Sequence, residues 1–224
     1  MLGQIGSLKQ TPRPALLGLL VAVLALNAIG CAQIFGLFRP LDGERKVEVE
    51  GRYKKLDNQH VAVMVAASDK ILVNYPRARP ALTRSISQAL AKNVKGISLM
   101  NPDEVIRYQQ ENQYWHTLPY GQLIDRMDVD VLVLVDLVEY QTHEPGNRHE
   151  FRGVINANVN VIDADAQDSD KLVFNTQVGV QYPRNSQIPL INRDQETVES
   201  KTVKRFTRRA AGLFYDHTRS VSRD

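Results

Sequence analysis

Between residues 59 and 219 no stretch is more apolar than Val129–Val138, which reads VDVLVLVDLV. Apolar residues fall at both odd and even positions, and valine and leucine dominate. A short run of this kind is a strand buried on both faces, so it predicts the centre of a sheet. The two stretches that follow have a different pattern. Phe151 to Asp163 sets Phe151, Ile155, Ala157, Val159 and Val161 on one side and Asn156, Asn158 and Asn160 on the other. Leu172 to Tyr182 sets Leu172, Phe174, Val178, Val180 and Tyr182 against Asn175, Gln177 and Gln181. Such alternation marks antiparallel strands with one buried and one wetted face. The chain therefore predicts a sheet that is covered on both sides at its centre and on one side at its flank.

The elements before and after are consistent with that sheet. His60 to Ala67 (HVAVMVAA) is a second doubly buried strand. Pro76 and Pro80 precede a helix whose Leu82, Ile86, Ala89, Leu90 and Val94 recur at the helical period, and Gly96 stops it. Ile97 to Met100 is a short strand. Asn101-Pro102-Asp103-Glu104 then opens a brief helix, with Asn as cap, Pro at the first position and Glu reaching back. Pro119 starts another short turn through Leu123, Ile124 and Met127. A last helix is expected from about Asp194 to Thr218. The order β-α-β-α-β-β-β-α predicts an α/β (α+β) fold, a single mixed sheet with helices mainly on one face, spanning 59–219 and leaving 220–224 as a tail.

The N-terminal part reads as an address. Lys9 and Arg13 precede an apolar run from Ala15 to Leu26, and Ala28-Ile29-Gly30-Cys31 closes it with the only cysteine of the chain. This resembles the lipobox of bacterial lipoproteins. The resemblance implies cleavage between Gly30 and Cys31, acylation of Cys31, and removal of residues 1–30. Two or more acyl chains make a stable anchor. Acylation also explains an odd cysteine in a disulfide-permissive compartment. Alanine at position 32 favours, by the same resemblance, the outer membrane with the domain in the periplasm. The alternative is an uncleaved helical anchor in the inner membrane. Ala15 to Phe38 is 24 residues, interrupted only by Asn27, Cys31 and Gln33, and about 20 apolar residues span a bilayer. Residues 31–58 read as a lipidated end and tether, in which Val47 and Val49 could pair briefly as an edge strand.

Composition narrows the function classes. The formal charge is +3, and Lys9 and Arg13 supply two of those charges. The mature part is thus near neutral, and the sequence pI of about 9.0 is no sign of a nucleic-acid partner. No G-x-S-x-G turn, P-loop or dinucleotide glycine fingerprint occurs, so no enzyme, cofactor or metal is expected.

In topology, residues 60 to 219 resemble the small α/β domain of outer-membrane accessory lipoproteins, such as the curli-secretion lipoprotein and the lipoprotein activators of penicillin-binding proteins. The residues that carry the likeness are His60–Ala67, Asp128–Val135 with an aspartate ahead of the apolar strand, and Val161-Ile162-Asp163-Ala164 at a strand end. No pore-forming or activator function carries over from the likeness residue by residue; a non-catalytic accessory role in the envelope is expected from the lipobox, the lack of catalytic motifs and the basic stripe described below.

Four local groupings are candidates for a site. His143, Glu144, His149 and Glu150 flank a Pro-Gly turn, where a solvated hairpin loop is expected rather than zinc, which needs three or four ligands in defined geometry. Asp163, Asp165, Asp168 and Asp170 crowd a second turn. They miss the calcium-loop template, whose sixth and twelfth places hold Asp168 and Phe174 here, and read as turn caps. In the last helix Lys201, Lys204, Arg205, Arg208 and Arg209 form one basic stripe. Anionic lipid, cell-wall carboxylates or a partner protein could neutralise it, as could Glu196 and Glu199 if the face is merely solvated. The amides of Asn156, Asn158, Asn160, Asn175, Gln177 and Gln181 could hydrogen-bond a glycan, or simply water. Trp115 and Tyr114 are either core or a small contact patch. The expectation is a lipid-anchored protein that docks envelope partners through the basic stripe, or alternatively a glycan- or peptidoglycan-binding module using the polar sheet face.

Overall fold

The computed structural model describes residues 45–144, 146–184 and 194–221. Cys31, Gly30 and the rest of the N-terminal address lie outside the described residues. Residues 47–219 make one compact unit, to which 45–46 and 220–221 do not belong. The elements, in chain order, are β1 (Arg45–Val49), β2 (His60–Ala67), α1 (Asp69–Asn74), α2 (Ala78–Asn93), β3 (Ser98–Leu99), α3 (Pro102–Glu111), a 3-10 turn (Trp115–Thr117), α4 (Tyr120–Met127), β4 (Val131–Glu144), β5 (Asn147–Asp163), β6 (Phe174–Tyr182), α5 (Gln195–Ala211) and β7 (His217–Val221).

The fold is mixed α/β. Five strands form one sheet in the order β3-β2-β4-β5-β6, and β1 and β7 pair in a separate two-stranded sheet. The apolar strand β4 is central, as its sequence requires. It runs parallel to β2, from Val61↔Val131 to Ala67↔Leu137, and antiparallel to β5. β6 continues the antiparallel side, and β3 lies parallel beside β2.

Side-chain alternation along the strands divides the interior into two layers. Val61, Val63, Val65, Val131, Val133, Val135, Ile155, Ala157, Val159 and Val161 pack beneath the two long helices, against Leu82, Ile86 and Leu90 of α2 and Phe206 and Ala210 of α5. Ala62, Met64, Leu132, Leu134 and Ile162 face the other way, where Val105 of α3, Trp115, and Leu123, Ile124 and Met127 of α4 cover them. The long helices share one face, and the short ones close the opposite face over β2 and β4 only. Each fully buried Val, Leu, Ile or Met side chain stabilises this arrangement by about 1.5–3 kcal/mol.

Local chemistry fixes the joints. Asn101 caps α3, its Oδ1 accepting from the Asp103 N–H at 3.0 Å with Pro102 first in the helix. Asp130, ahead of the central strand, accepts the His60 N–H at 2.7 Å and so ties the start of β2 to the start of β4. β3 is too short to cover the whole edge of β2. The buried Gln109 of α3 completes the job by donating to the Val65 carbonyl at 2.9 Å. Gly153 lies under α5, where a β-carbon would stand 1.8 Å from Thr202 Oγ1.

Several elements differ from the sequence expectation. Tyr53 and Leu56, in the stretch read as tether, are buried in the core, and the Tyr53 N–H donates to the Leu213 carbonyl at 2.9 Å. The last helix ends at Ala211 rather than Thr218, because Leu213 and Phe214 turn inward to the core before β7 begins. α1 was not expected; six residues are too few to show a helical period. The turn around Gly146, at φ 83°, joins strands that run to Glu144 and from Asn147. Register shifts after Leu137 and Gln141 erase the period-two signal there. Among the described residues no helix is long and apolar enough to cross a membrane.

Candidate functional site

The layer of short helices stops partway along β4, and beyond Leu134 the same face of the sheet is polar and open. Asp136 is exposed, and Glu139 and Gln141 of β4 are half-buried. They stand beside Asn156 and Asn158 of β5, which in turn face Gly179 and Gln177 of β6. Asn160, nearest the covered half, is buried and accepts from the Asn175 amide. Of the amides expected from the sequence to be wetted, Asn156, Asn158, Asn175, Gln177 and Gln181 are accessible on this one face, while Asn160 is not.

At its far end this surface sinks into an open depression of about 580 Å³ lined by Glu139, Gln141, Arg152, Val154, Asn156, Gly179, Val180, Gln181, Arg184 and Arg209. Glu139 organises the floor. Its two oxygens accept from Gln141 Nε2 at 2.8 Å and Asn156 Nδ2 at 2.5 Å. Arg152 forms one wall. It gives Nη1 to both Glu144 oxygens at 3.0 Å and Nη2 to Gln181 Oε1 at 3.0 Å. Arg152 Nε and Gln181 Nε2 are enclosed without an acceptor among the described residues, so this wall has donor capacity that the protein leaves unused. Gly179 is needed for space, since a β-carbon there would fall 2.3 Å from Asn156 Oδ1.

The basic stripe is divided in its use. Arg205 and Arg209 reach from α5 over β6, the edge strand, where Arg209 Nη1 donates to the Gly179 carbonyl at 2.7 Å and Arg205 Nη1 to the Gln181 carbonyl at 2.9 Å. The Arg205 guanidinium also lies 4.7 Å from the centre of the Tyr182 ring. Both arginines occupy acceptors that an edge strand would otherwise offer to another chain. Burial first, and the Arg184 charge second, lower the proton affinity of Arg205. Lys201, Lys204 and Arg208 are exposed. Glu199 accepts from the buried Tyr140 hydroxyl at 2.8 Å instead of serving the stripe.

The acidic turn is occupied by its own backbone. Asp163 accepts the Asp165 N–H at 3.0 Å, Asp168 the Asp170 N–H at 3.1 Å, and Asp170 the Gly121 N–H of α4 at 2.8 Å. Lys171 pairs with Asp168 at 2.9 Å and, with that N–H, holds its carboxyl below the usual range. In the hairpin, Glu144 is engaged by Arg152, the His143 ring lies 4.8 Å from Phe151, and Asn147 accepts the His149 N–H. Among the described residues no group of three or more His, Cys, Asp or Glu is placed to hold a metal ion. Trp115 is buried under the short helices while Tyr114 is 75 % exposed, so the two do not form one patch.

Sequence reasoning found the amides but missed Arg152, Glu139, Gln141 and Arg184. The only signal for them is polarity persisting past the point where the alternation breaks, and it does not say which face they share.

No family model and no curated protein matches the chain. Solved structures resemble it in part. The PelC dodecamer from Paraburkholderia phytofirmans is 8 % identical over 76 % of this chain and 97 % of that one, with a TM-score of 0.44. The lipoprotein GNA1162 from Neisseria meningitidis is 12 % identical over 65 % and 94 %, with a TM-score of 0.38. Protein XCC0632 from Xanthomonas campestris is 12 % identical over 72 % and 84 %, with a TM-score of 0.42. At this level of likeness nothing about function passes from them to this chain.

Proposed function

We propose that this chain is a lipid-anchored, non-catalytic accessory protein of the bacterial cell envelope whose folded unit docks envelope partners. The observation that carries the reading is Cys31, the only cysteine, placed after Ala28-Ile29-Gly30 at the end of the apolar run. Acyl chains there hold the domain at a membrane surface; alanine at position 32 points to the outer membrane, with the inner membrane as the alternative. The exposed Lys201, Lys204 and Arg208 are the part of the stripe available to an acidic partner surface. Metabolic labelling with a fatty acid tests the anchor: wild type should be labelled and Cys31→Ser should not. Equal labelling of the two would replace the lipoprotein with an uncleaved helical anchor.

A second reading, glycan or peptidoglycan binding, is favoured by the open polar half of the sheet. Its amides stand in register across β5 and β6, where Asn158 faces Gln177 and Asn156 faces Gly179. The full chain should then sediment with purified cell wall, and Asn158→Ala should reduce the sedimented fraction. Absence of sedimentation in the wild type would end this reading and leave the anchored docking role intact.

A further inference from the structure

We propose that the depression at the far end of the polar sheet face binds an acidic saccharide, with Arg209 engaging its carboxylate and the surrounding amides engaging its hydroxyls. The inference rests on the second reading above and narrows it to one place and one ligand class. Three features of the lining support it.

The first is charge. Arg152, Arg184 and Arg209 face one glutamate, Glu139, among the lining residues. Glu139 already accepts from Gln141 and Asn156, and Arg152 is held by Glu144 and Gln181. Arg209 donates one N–H to the Gly179 carbonyl. Each arginine carries five N–H donors in a planar fork that fits a carboxylate. The site thus favours an anion over a neutral or cationic ligand.

The second is polarity. Among the described lining residues only Val154 and Val180 have apolar side chains, and none carries an aromatic ring. A peptide docking through apolar side chains would find little surface to bury there. A hydroxyl both donates and accepts, and so do the amides of Gln141, Asn156 and Gln181. A ligand rich in hydroxyls matches that inventory.

The third is space. Gly179 leaves the Asn156 amide in place against Glu139, where any β-carbon would collide with its Oδ1. The floor is therefore shaped by the absence of a side chain in mid-strand, a position where glycine otherwise weakens a sheet.

The test uses the full chain in detergent, titrated calorimetrically with oligogalacturonate and with the same oligomer methyl-esterified, which removes only the charge. The acid form should bind at least about ten-fold more tightly than the ester, the equivalent of one charged contact. Added salt should narrow that gap. Arg209→Gln should weaken the acid form several-fold and leave the ester unchanged, with a melting temperature close to wild type. Gly179→Ala should weaken both forms by displacing Asn156. Equal binding of acid and ester, or an Arg209→Gln variant that binds the acid form like wild type, would overturn the proposal. If neither form binds while cell-wall sedimentation still depends on Asn158, this site is wrong and the sheet-face reading survives.

Discussion

The sheet face under the short helices changes character midway along β4. At one end, Leu132, Leu134, Met64 and Ile162 are buried beneath α3, Trp115 and α4. At the other, the face presents Asp136 and, past the register shift after Leu137, Glu139 and Gln141, beside Asn156 and Asn158, with none of the described helices over them. β4 and β5 stay paired through both ends, in one register from Val131↔Asp163 to Leu137↔Ala157 and in a shifted one from Glu139↔Asn156. What differs is the transfer free energy of the outward side chains. An apolar row is stable only when another element removes it from water, while a row of amides is stable wet and costs about 1–3 kcal/mol per group if covered without partners. The helices stop where the apolar residues stop.

The contrast can be broken most severely at the covered end. Leu132 is fully buried, and Leu132→Ala should cost about 2–5 kcal/mol in chemical denaturation. A loss below about 0.5 kcal/mol would mean that the short helices contribute little to the fold.

A smaller effect is expected at Tyr140, on the opposite face of β4, where α5 does cover the far end of the sheet. Burial, and then the Glu199 carboxylate, push its phenol well above the usual tyrosine value of 10.0. The folded state therefore favours the neutral hydroxyl. That stability is fully present below pH 10.0 and is lost as pH rises through the raised value. Tyr140→Phe should cost about 1–3 kcal/mol at neutral pH by removing a hydrogen bond to a charged group. It should also flatten the decline of the unfolding midpoint above pH 10.0. An unchanged alkaline decline would show that the Tyr140–Glu199 contact does not couple to folding.

The least effect belongs to the open end. Asn158→Leu should shift stability by no more than about 0.5 kcal/mol, because none of the described elements packs over that row. A clear gain would mean that some element covers the face, and the distinction between the two ends would fall.

The architecture was largely legible. The doubly apolar Val129–Val138 demands a central strand, the Asn101-Pro102 pair demands a helix start, and the alternation of β5 and β6 demands one wet face; each is a local signal with a period or a cap. The candidate site was half legible. Asn156, Asn158, Gln177 and Gln181 follow from alternation alone. Glu139 and Gln141 do not, because the register shift after Leu137 reverses which residues share their face. Nor does the pattern show that Arg205 and Arg209, apparently two members of a free stripe, spend donors on the edge carbonyls of β6.

By itself, then, the sequence determined most of the order of elements, the central strand and the wet row of amides, because these depend on neighbours within a few residues. Only the tertiary structure decided that the short helices close half of one face, that Tyr53 and Leu56 join the core, and that arginines from two strand ends and a distant helix line one depression. Those outcomes depend on which surfaces meet between segments far apart in the chain, as Arg52 meets Thr176 with a separation of 124. Periodicity, a one-dimensional property, says which side of an element is apolar but not what will come to rest against it.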